Sequence, residues 1–154
     1  MKLILICFTI ISVNVCFAQI DYNEIRDNLI RTIDQSKDTL DKNVSFIDSV
    51  AKLDIGLGKE LFLFDYGWVY RQKYLHSRKQ TDLLVSTCCY SQCWEEFSNS
   101  EALYRMASNY GYHNCALSKK YYQLFLDIKK QRGESLTEPQ IFEIPRLHLF
   151  LCSE

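Results

Sequence analysis

The amino-acid sequence predicts an all-α fold, a compact bundle of about four to five helices that begins with a long N-terminal helix. Apolar residues recur at three- and four-residue steps through most of the chain, and helix caps and glycine stops separate these segments. Five cysteines after residue 18 predict disulfide staples. At 154 residues, with 47% apolar and 14% aromatic residues, the chain is long enough for one packed domain.

Residues 1–18 have the order of a cleavable secretory signal. Lys2 precedes an apolar run, and the small residues Cys16 and Ala18 stand just before Gln19. The run is shorter than the roughly 20 apolar residues that a membrane span needs, and no later segment is long enough either. We therefore expect residues 19–154 to form a single secreted, extracellular domain without a transmembrane segment.

The first two helices are predicted from their apolar spacing. Residues 21–54 read as one long amphipathic helix that Gly56 and Gly58 end. Residues 59–80 also have helical spacing, although a hairpin that turns at residues 65–67 is the alternative.

The later helices are predicted from caps and stops. Residues 81–97 form one helix, a shorter helix follows, and a third lies beyond residue 114. The predicted caps and stops are, in chain order, Thr81, Ser100, Gly111, Asn114 and Gly133. Pro139 and Pro145 prevent a further long helix, so we expect an extended C-terminal tail.

The cysteines expected in the mature chain are Cys88, Cys89, Cys93, Cys115 and Cys152. In an oxidising compartment they should form disulfides. We expect one bridge from Cys89 or Cys93 to Cys115 and a second from Cys88 to Cys152. The remaining thiol is expected to be buried, which favours a monomer over a disulfide-linked dimer.

Two features point to a candidate surface site. Arg71, Lys73, Arg78 and Lys79 form a basic patch that could hold a sulfated glycan, an anionic lipid head or an acidic receptor face, the alternative being ordinary solvated helix surface. A second basic cluster lies at residues 119–132. Asn43 begins an N-glycosylation sequon and lies off the apolar stripe of the first helix, so it is a predicted glycan site.

No motif in the sequence indicates catalysis, a cofactor or a metal site. Gly56-Leu57-Gly58-Lys59 lacks the spacing and hydroxyl of a phosphate loop, and the three histidines fit no zinc pattern. The net charge of −1 and the predicted compartment disfavour nucleic acid.

The sequence therefore predicts a secreted binding protein, not an enzyme, that acts through protein–protein interaction as an effector or signalling molecule. A carrier of a small apolar ligand is the alternative, and a secreted hydrolase is third. The carrier hypothesis depends on a dense aromatic region formed by Phe62, Phe64, Tyr66, Trp68, Tyr70 and Tyr74.

Overall fold

The computed structural model describes residues 19–31 and 36–141. Every regular element in these ranges is helical, apart from an isolated parallel bridge between Ile20 and Ile55. The principal elements are α1 (Tyr22–Ile25), a 3-10 turn (Arg26–Asn28), α2 (Lys37–Val50), α3 (Lys59–Ser77), α4 (Gln80–Phe97), α5 (Ser100–Tyr110) and α6 (Cys115–Arg132). The all-α prediction is confirmed for this part of the chain, and α3 is a helix rather than a hairpin.

Helices α3 to α6 pack in sequence order, and α2 lies against α3. The α3–α4 and α4–α5 loops are only two residues long, so consecutive helices run antiparallel. The α3–α4 and α5–α6 loops therefore lie at the same end of the bundle, where the rings of Tyr74 and Tyr112 are 5.2 Å apart. At the opposite end, the Arg132 guanidinium donates to the Ser98 carbonyl.

The closest approach between α3 and α4 occurs at Gly67. A Cβ at this position would lie 2.8 Å from the Tyr90 ring, and the Ser86 hydroxyl donates to the Gly67 carbonyl at 2.7 Å. Tyr90 is fully buried, and its ring also meets Phe64 edge-on at 5.4 Å. The absent side chain of Gly67 thus lets an aromatic ring of one helix rest on the backbone of the next.

The predicted long helix over residues 21–54 is wrong. α1 and the 3-10 turn end at Asn28, and Leu29 has extended backbone angles (φ −81°, ψ 116°). α2 begins only after Ser36, whose side chain accepts the Thr39 amide at 3.2 Å, and it ends at Val50, before the predicted glycine stop. Residues 32–35 lie outside the described residues.

The buried carboxylate of Asp65 in α3 holds the N-terminal segment in place. It accepts the Tyr22 hydroxyl at 3.1 Å and Arg26 Nε at 2.7 Å, and it is also paired with Arg31. Burial raises the pKa of Tyr22, so this hydroxyl remains a hydrogen-bond donor at physiological pH. A straight helix could not direct all three donors to one carboxylate, because Arg31 would lie on the opposite side of the helix from Tyr22.

The structure contradicts the predicted glycan site, since Asn43 is only 1% exposed. Its side-chain oxygen accepts the Ile30 amide at 3.0 Å, and its Nδ2 donates to the Ile30 carbonyl at 2.8 Å. A glycan is attached through Nδ2, which has no access to solvent here. The asparagine instead joins α2 to the extended segment at residues 29–31.

The helix boundaries agree closely with the local signals in the sequence. Asn114, Gly111 and Gly133 cap the ends for which they were predicted. Two predicted N-caps are displaced, because α4 and α5 are capped by Lys79 and Asn99 instead of Thr81 and Ser100. The predicted signal at residues 1–18, Cys152 and most of the predicted extended tail lie outside the described residues.

We predict that Gly67→Ala destabilises the protein although alanine is the better helix former. The helical gain is about 1 kcal/mol, whereas overpacking against a buried ring costs about 1–3 kcal/mol. Urea unfolding should show a net loss of stability. In a Tyr90→Leu background, which removes the ring atoms that clash, the same substitution should cost less or stabilise the protein. An equal cost in both backgrounds would contradict the close contact.

We predict that Asn43→Asp lowers the free energy of unfolding by about 2 kcal/mol, because a carboxylate cannot donate to the Ile30 carbonyl. The matched control is Ser45→Ala, which removes the glycosylation sequon at an exposed position and should change stability by less than about 0.5 kcal/mol. The mass of protein secreted from eukaryotic cells should be unaffected by deglycosylation. A glycan on the folded protein that Ser45→Ala abolishes would contradict the burial of Asn43.

Candidate functional site

A surface cleft of about 310 Å³ opens between the first half of α4 and the α5–α6 loop. Leu84 stands at its rim with 64% of its surface exposed. The residues that line the cleft are Gln80, Thr81, Leu83, Leu84, Thr87, Tyr110 and His113. The cleft is mainly apolar, with polar groups at one edge, which is typical of a binding site.

Aromatic stacking and buried hydrogen bonds hold the walls of the cleft. The Tyr110 ring stacks on Tyr121 at 5.3 Å and contacts the His113 ring at 5.5 Å. On the opposite side, the Asn109 side chain donates to the Thr87 hydroxyl at 3.2 Å. Burial raises the pKa of Tyr110, so its hydroxyl stays neutral.

Exposed cations lie at the same end of the bundle as the cleft. We define the basic end of the bundle by the exposed residues Arg78, Lys79, Lys119 and Lys120. None of these four forms an ion pair with a carboxylate within residues 19–31 and 36–141.

The carboxylates near the basic end are few. The sequence has only Asp82 between residues 66 and 94, and none between residues 102 and 126. Asp82 is 5% exposed, accepts the Ser77 hydroxyl at 2.7 Å and pairs with Lys73 at 3.3 Å. Its charge is therefore neutralised locally, and the exposed charges that α3 to α6 present at this end are positive.

The predicted basic patch at residues 71–79 is wrong as a single surface. Arg71 is 7% exposed and donates to the Ser108 hydroxyl at 2.7 Å, because it lies on the face of α3 that meets α5. Lys73 is paired with Asp82. Only Arg78 and Lys79 remain exposed from the predicted patch, and the bundle brings them to the end that carries Lys119 and Lys120.

The second predicted cluster is divided between the two ends of α6. Lys119 and Lys120 belong to the basic end, whereas Lys129 pairs with Glu134 at 2.6 Å near the other terminus of the helix. At that other end Lys59 and Glu96 are also paired at 2.6 Å. The end opposite the basic end therefore carries charges of both signs.

The cysteines of α4 depart from prediction. Cys88 is exposed, Cys89 and Cys93 are buried, and all three are free thiols. The expected bridges from Cys89 or Cys93 to Cys115 and from Cys88 to Cys152 are therefore wrong for this structure. The physical reason is direction, since Cys93 faces the start of α3, with its Sγ 3.7 Å from the Glu60 carbonyl, whereas α6 packs on α5.

Burial also determines the reactivity of these thiols. It raises the pKa of Cys89 to about 12, assisted by the neighbouring Cys88 and Cys93. Burial likewise raises the pKa of Cys93 to about 12. Both groups are therefore neutral at physiological pH and poor nucleophiles.

Cys115, the first residue of α6, is disulfide-bonded.

The aromatic region that suggested a carrier packs against the core of the bundle, with Phe62 and Tyr74 buried and the other four rings half-buried. Tyr22 meets Phe62 at 5.4 Å, Phe62 meets Tyr66 at 5.5 Å, and Tyr66 meets Tyr70 at 5.1 Å. A second cleft, of about 360 Å³, lies beside Phe62 and Tyr66 and opens to the surface. The rings of α3 thus pack on one another and on rings of neighbouring elements, among them Tyr22 and Tyr90.

Among the described helices, none is both long and apolar enough to cross a membrane. Residues 19–31 and 36–141 also contain no group of three or more His, Cys, Asp or Glu side chains that could hold a metal ion. No protein-family model matches the chain, no curated protein matches it in sequence, and no solved structure matches it in fold.

We predict that maleimide at pH 8 labels Cys88 far faster than Cys89 or Cys93 in the folded protein. The thiolate is the reactive form, and a pKa of about 12 leaves Cys89 and Cys93 protonated. Unfolded thiols ionise near pH 9, whereas Cys89 and Cys93 stay protonated in the folded protein up to about pH 12. The free energy of unfolding should therefore fall as the pH rises from about 9 toward 12. Peptide mass mapping measures the rate of maleimide labelling at each cysteine.

The labelling experiment has two controls. Cys88→Ser should remove the fast reaction, and denaturation should make Cys89 and Cys93 react as fast as an ordinary thiol. Equal rates for the three native thiols would contradict the burial of the inner two.

Proposed function

We propose that this protein is a secreted binding protein that acts by protein–protein interaction, as an effector or signalling molecule. The observation that carries the proposal is the cleft beside Leu84, because it combines an exposed apolar rim, a fixed aromatic wall and a border of cations. Sites with these three properties are typical of protein recognition, where a buried anchor supplies affinity and charges supply orientation.

The rigidity of the surroundings also supports a binding role. Tyr110 is held by its stacking on Tyr121, and the α5–α6 turn is closed by the Asn114 amide, which donates to the Tyr110 carbonyl at 2.7 Å. A preformed surface loses little conformational entropy when a partner binds.

Secretion remains part of the proposal and has two supports. The sequence of residues 1–18 has the order of a signal peptide, and Cys115 is disulfide-bonded, which is typical of an oxidising compartment. Cleavage before Gln19 would keep the contacts of the N-terminal segment, in which the Ile20 amide donates to the Asp54 carbonyl at 2.9 Å.

A carrier of a small apolar ligand is the second candidate. The volume of the cleft, about 310 Å³, is within the range of small-molecule sites. We favour protein binding because the cleft beside Leu84 and the second cleft beside Phe62 and Tyr66 are both open to solvent, so neither encloses an apolar ligand.

We test the proposed function by photo-crosslinking. A photoreactive amino acid replaces Leu84 at the rim of the cleft, and a matched variant carries it at Leu57, which is equally exposed (67%) but remote from the cleft. Each protein is added to extracellular fluid and to intact cells of the source organism. We expect a saturable crosslink to a defined protein from position 84 only, identified by mass spectrometry and suppressed by excess unlabelled protein.

Two outcomes would contradict the proposal. Equal, unsaturable crosslinking from both positions would indicate non-specific contact. A native mass spectrum of the secreted protein that shows a bound apolar molecule, together with no saturable crosslink, would favour the carrier.

A further inference from the structure

We propose that the basic end binds an acidic protein segment, which inserts an apolar side chain into the cleft beside Leu84. This inference rests on the proposed function and adds the chemistry of the partner to it.

The basic end combines cations from two parts of the chain. Arg78 and Lys79 come from the α3–α4 loop, whereas Lys119 and Lys120 come from the first turns of α6, and the fold brings both pairs to one end. Both α4 and α6 also begin at this end, so the positive ends of their helix dipoles add to the cations. A partner that fits this surface carries several carboxylates around the side chain that enters the cleft.

The apolar centre of the proposed site is Leu84 together with the cleft beside it. Leu84 is 64% exposed, and the cleft next to it is lined by Leu83, Thr87 and the ring of Tyr110. Filling the cleft with an apolar side chain would remove Leu84 and this lining from water, which favours binding. The arrangement of an apolar centre within a charged border therefore matches an acidic segment with one hydrophobic anchor.

The basic end fits an acidic protein segment better than it fits a sulfated glycan or an anionic membrane. The whole chain has a net charge of −1 and its opposite end carries charges of both signs, so a long polyanion such as a sulfated glycan gains attraction mainly at this end. A glycan also has no apolar group to fill the cleft. An anionic membrane is flat, whereas the apolar surface here is concave and receives a single side chain.

The probe is a short fluorescent peptide that alternates glutamate with phenylalanine, and its binding is measured by anisotropy at low salt. Two comparison peptides replace the phenylalanine with serine, or the glutamate with lysine. We expect the glutamate–phenylalanine peptide to bind most tightly, with an affinity that falls as salt is added. Each comparison peptide should bind at least about tenfold more weakly, because it lacks either the anchor or the carboxylates.

Variants locate the binding surface. Lys119→Gln and Leu84→Ser should each weaken binding of the glutamate–phenylalanine peptide by several-fold, and together by more than about tenfold. The matched control is Lys130→Gln, an exposed lysine on the same helix but at the opposite end, which should have no effect. Circular dichroism verifies that every variant is folded.

Several results would overturn the inference. These are an equal effect of Lys130→Gln, tighter binding of heparin or of phosphatidylserine vesicles than of the peptide, and a dimer in solution that Leu84→Ser dissociates. If no peptide binds while the crosslink from position 84 persists, the acidic chemistry is wrong and protein binding remains. If the crosslink is also absent, the proposed function itself fails.

Discussion

The close approach of α3 and α4 at Gly67 determines where the other helices can lie. With no side chain at this position, the Tyr90 ring packs against the backbone of α3, and Ser86 bonds to the Gly67 carbonyl. Asn109 of α5 then donates to the same serine hydroxyl at 2.9 Å, so the contact between α3 and α4 extends directly into α5. Buried polar networks of this kind specify one arrangement, because any other leaves their donors and acceptors unpaired.

A second buried interaction, at Asp65, connects the N-terminal segment to this framework. A carboxylate that is almost fully buried needs partners, and removing one partner from such a pair costs roughly 3–5 kcal/mol. Tyr22, Arg26 and Arg31 provide those partners, and Asn43 holds the same segment from α2. The N-terminal segment is therefore part of the domain's architecture although little of it is regular helix.

The antiparallel order of the helices has a direct consequence for the surface. It collects the α3–α4 loop and the start of α6 at one end, where the exposed charges of α3 to α6 are positive, and it leaves mixed charges at the other. The basic end and the cleft beside Leu84 thus arise from the same topology. Among the three free thiols of α4 only Cys88 is exposed to reagents, since Cys89 and Cys93 face the interior.

The sequence alone determined the helical class and most helix boundaries, because periodicity and caps such as Asn114 and Gly133 act within a few residues. The break before α2 also had a local signal, the weak apolar spacing near Ser36. The inward direction of Asn43 and Arg71 had none, because a polar residue beside an apolar stripe can face either solvent or a distant hydrogen-bond partner. Only the tertiary structure, which supplies the Ile30 backbone and Ser108, decided between those two directions.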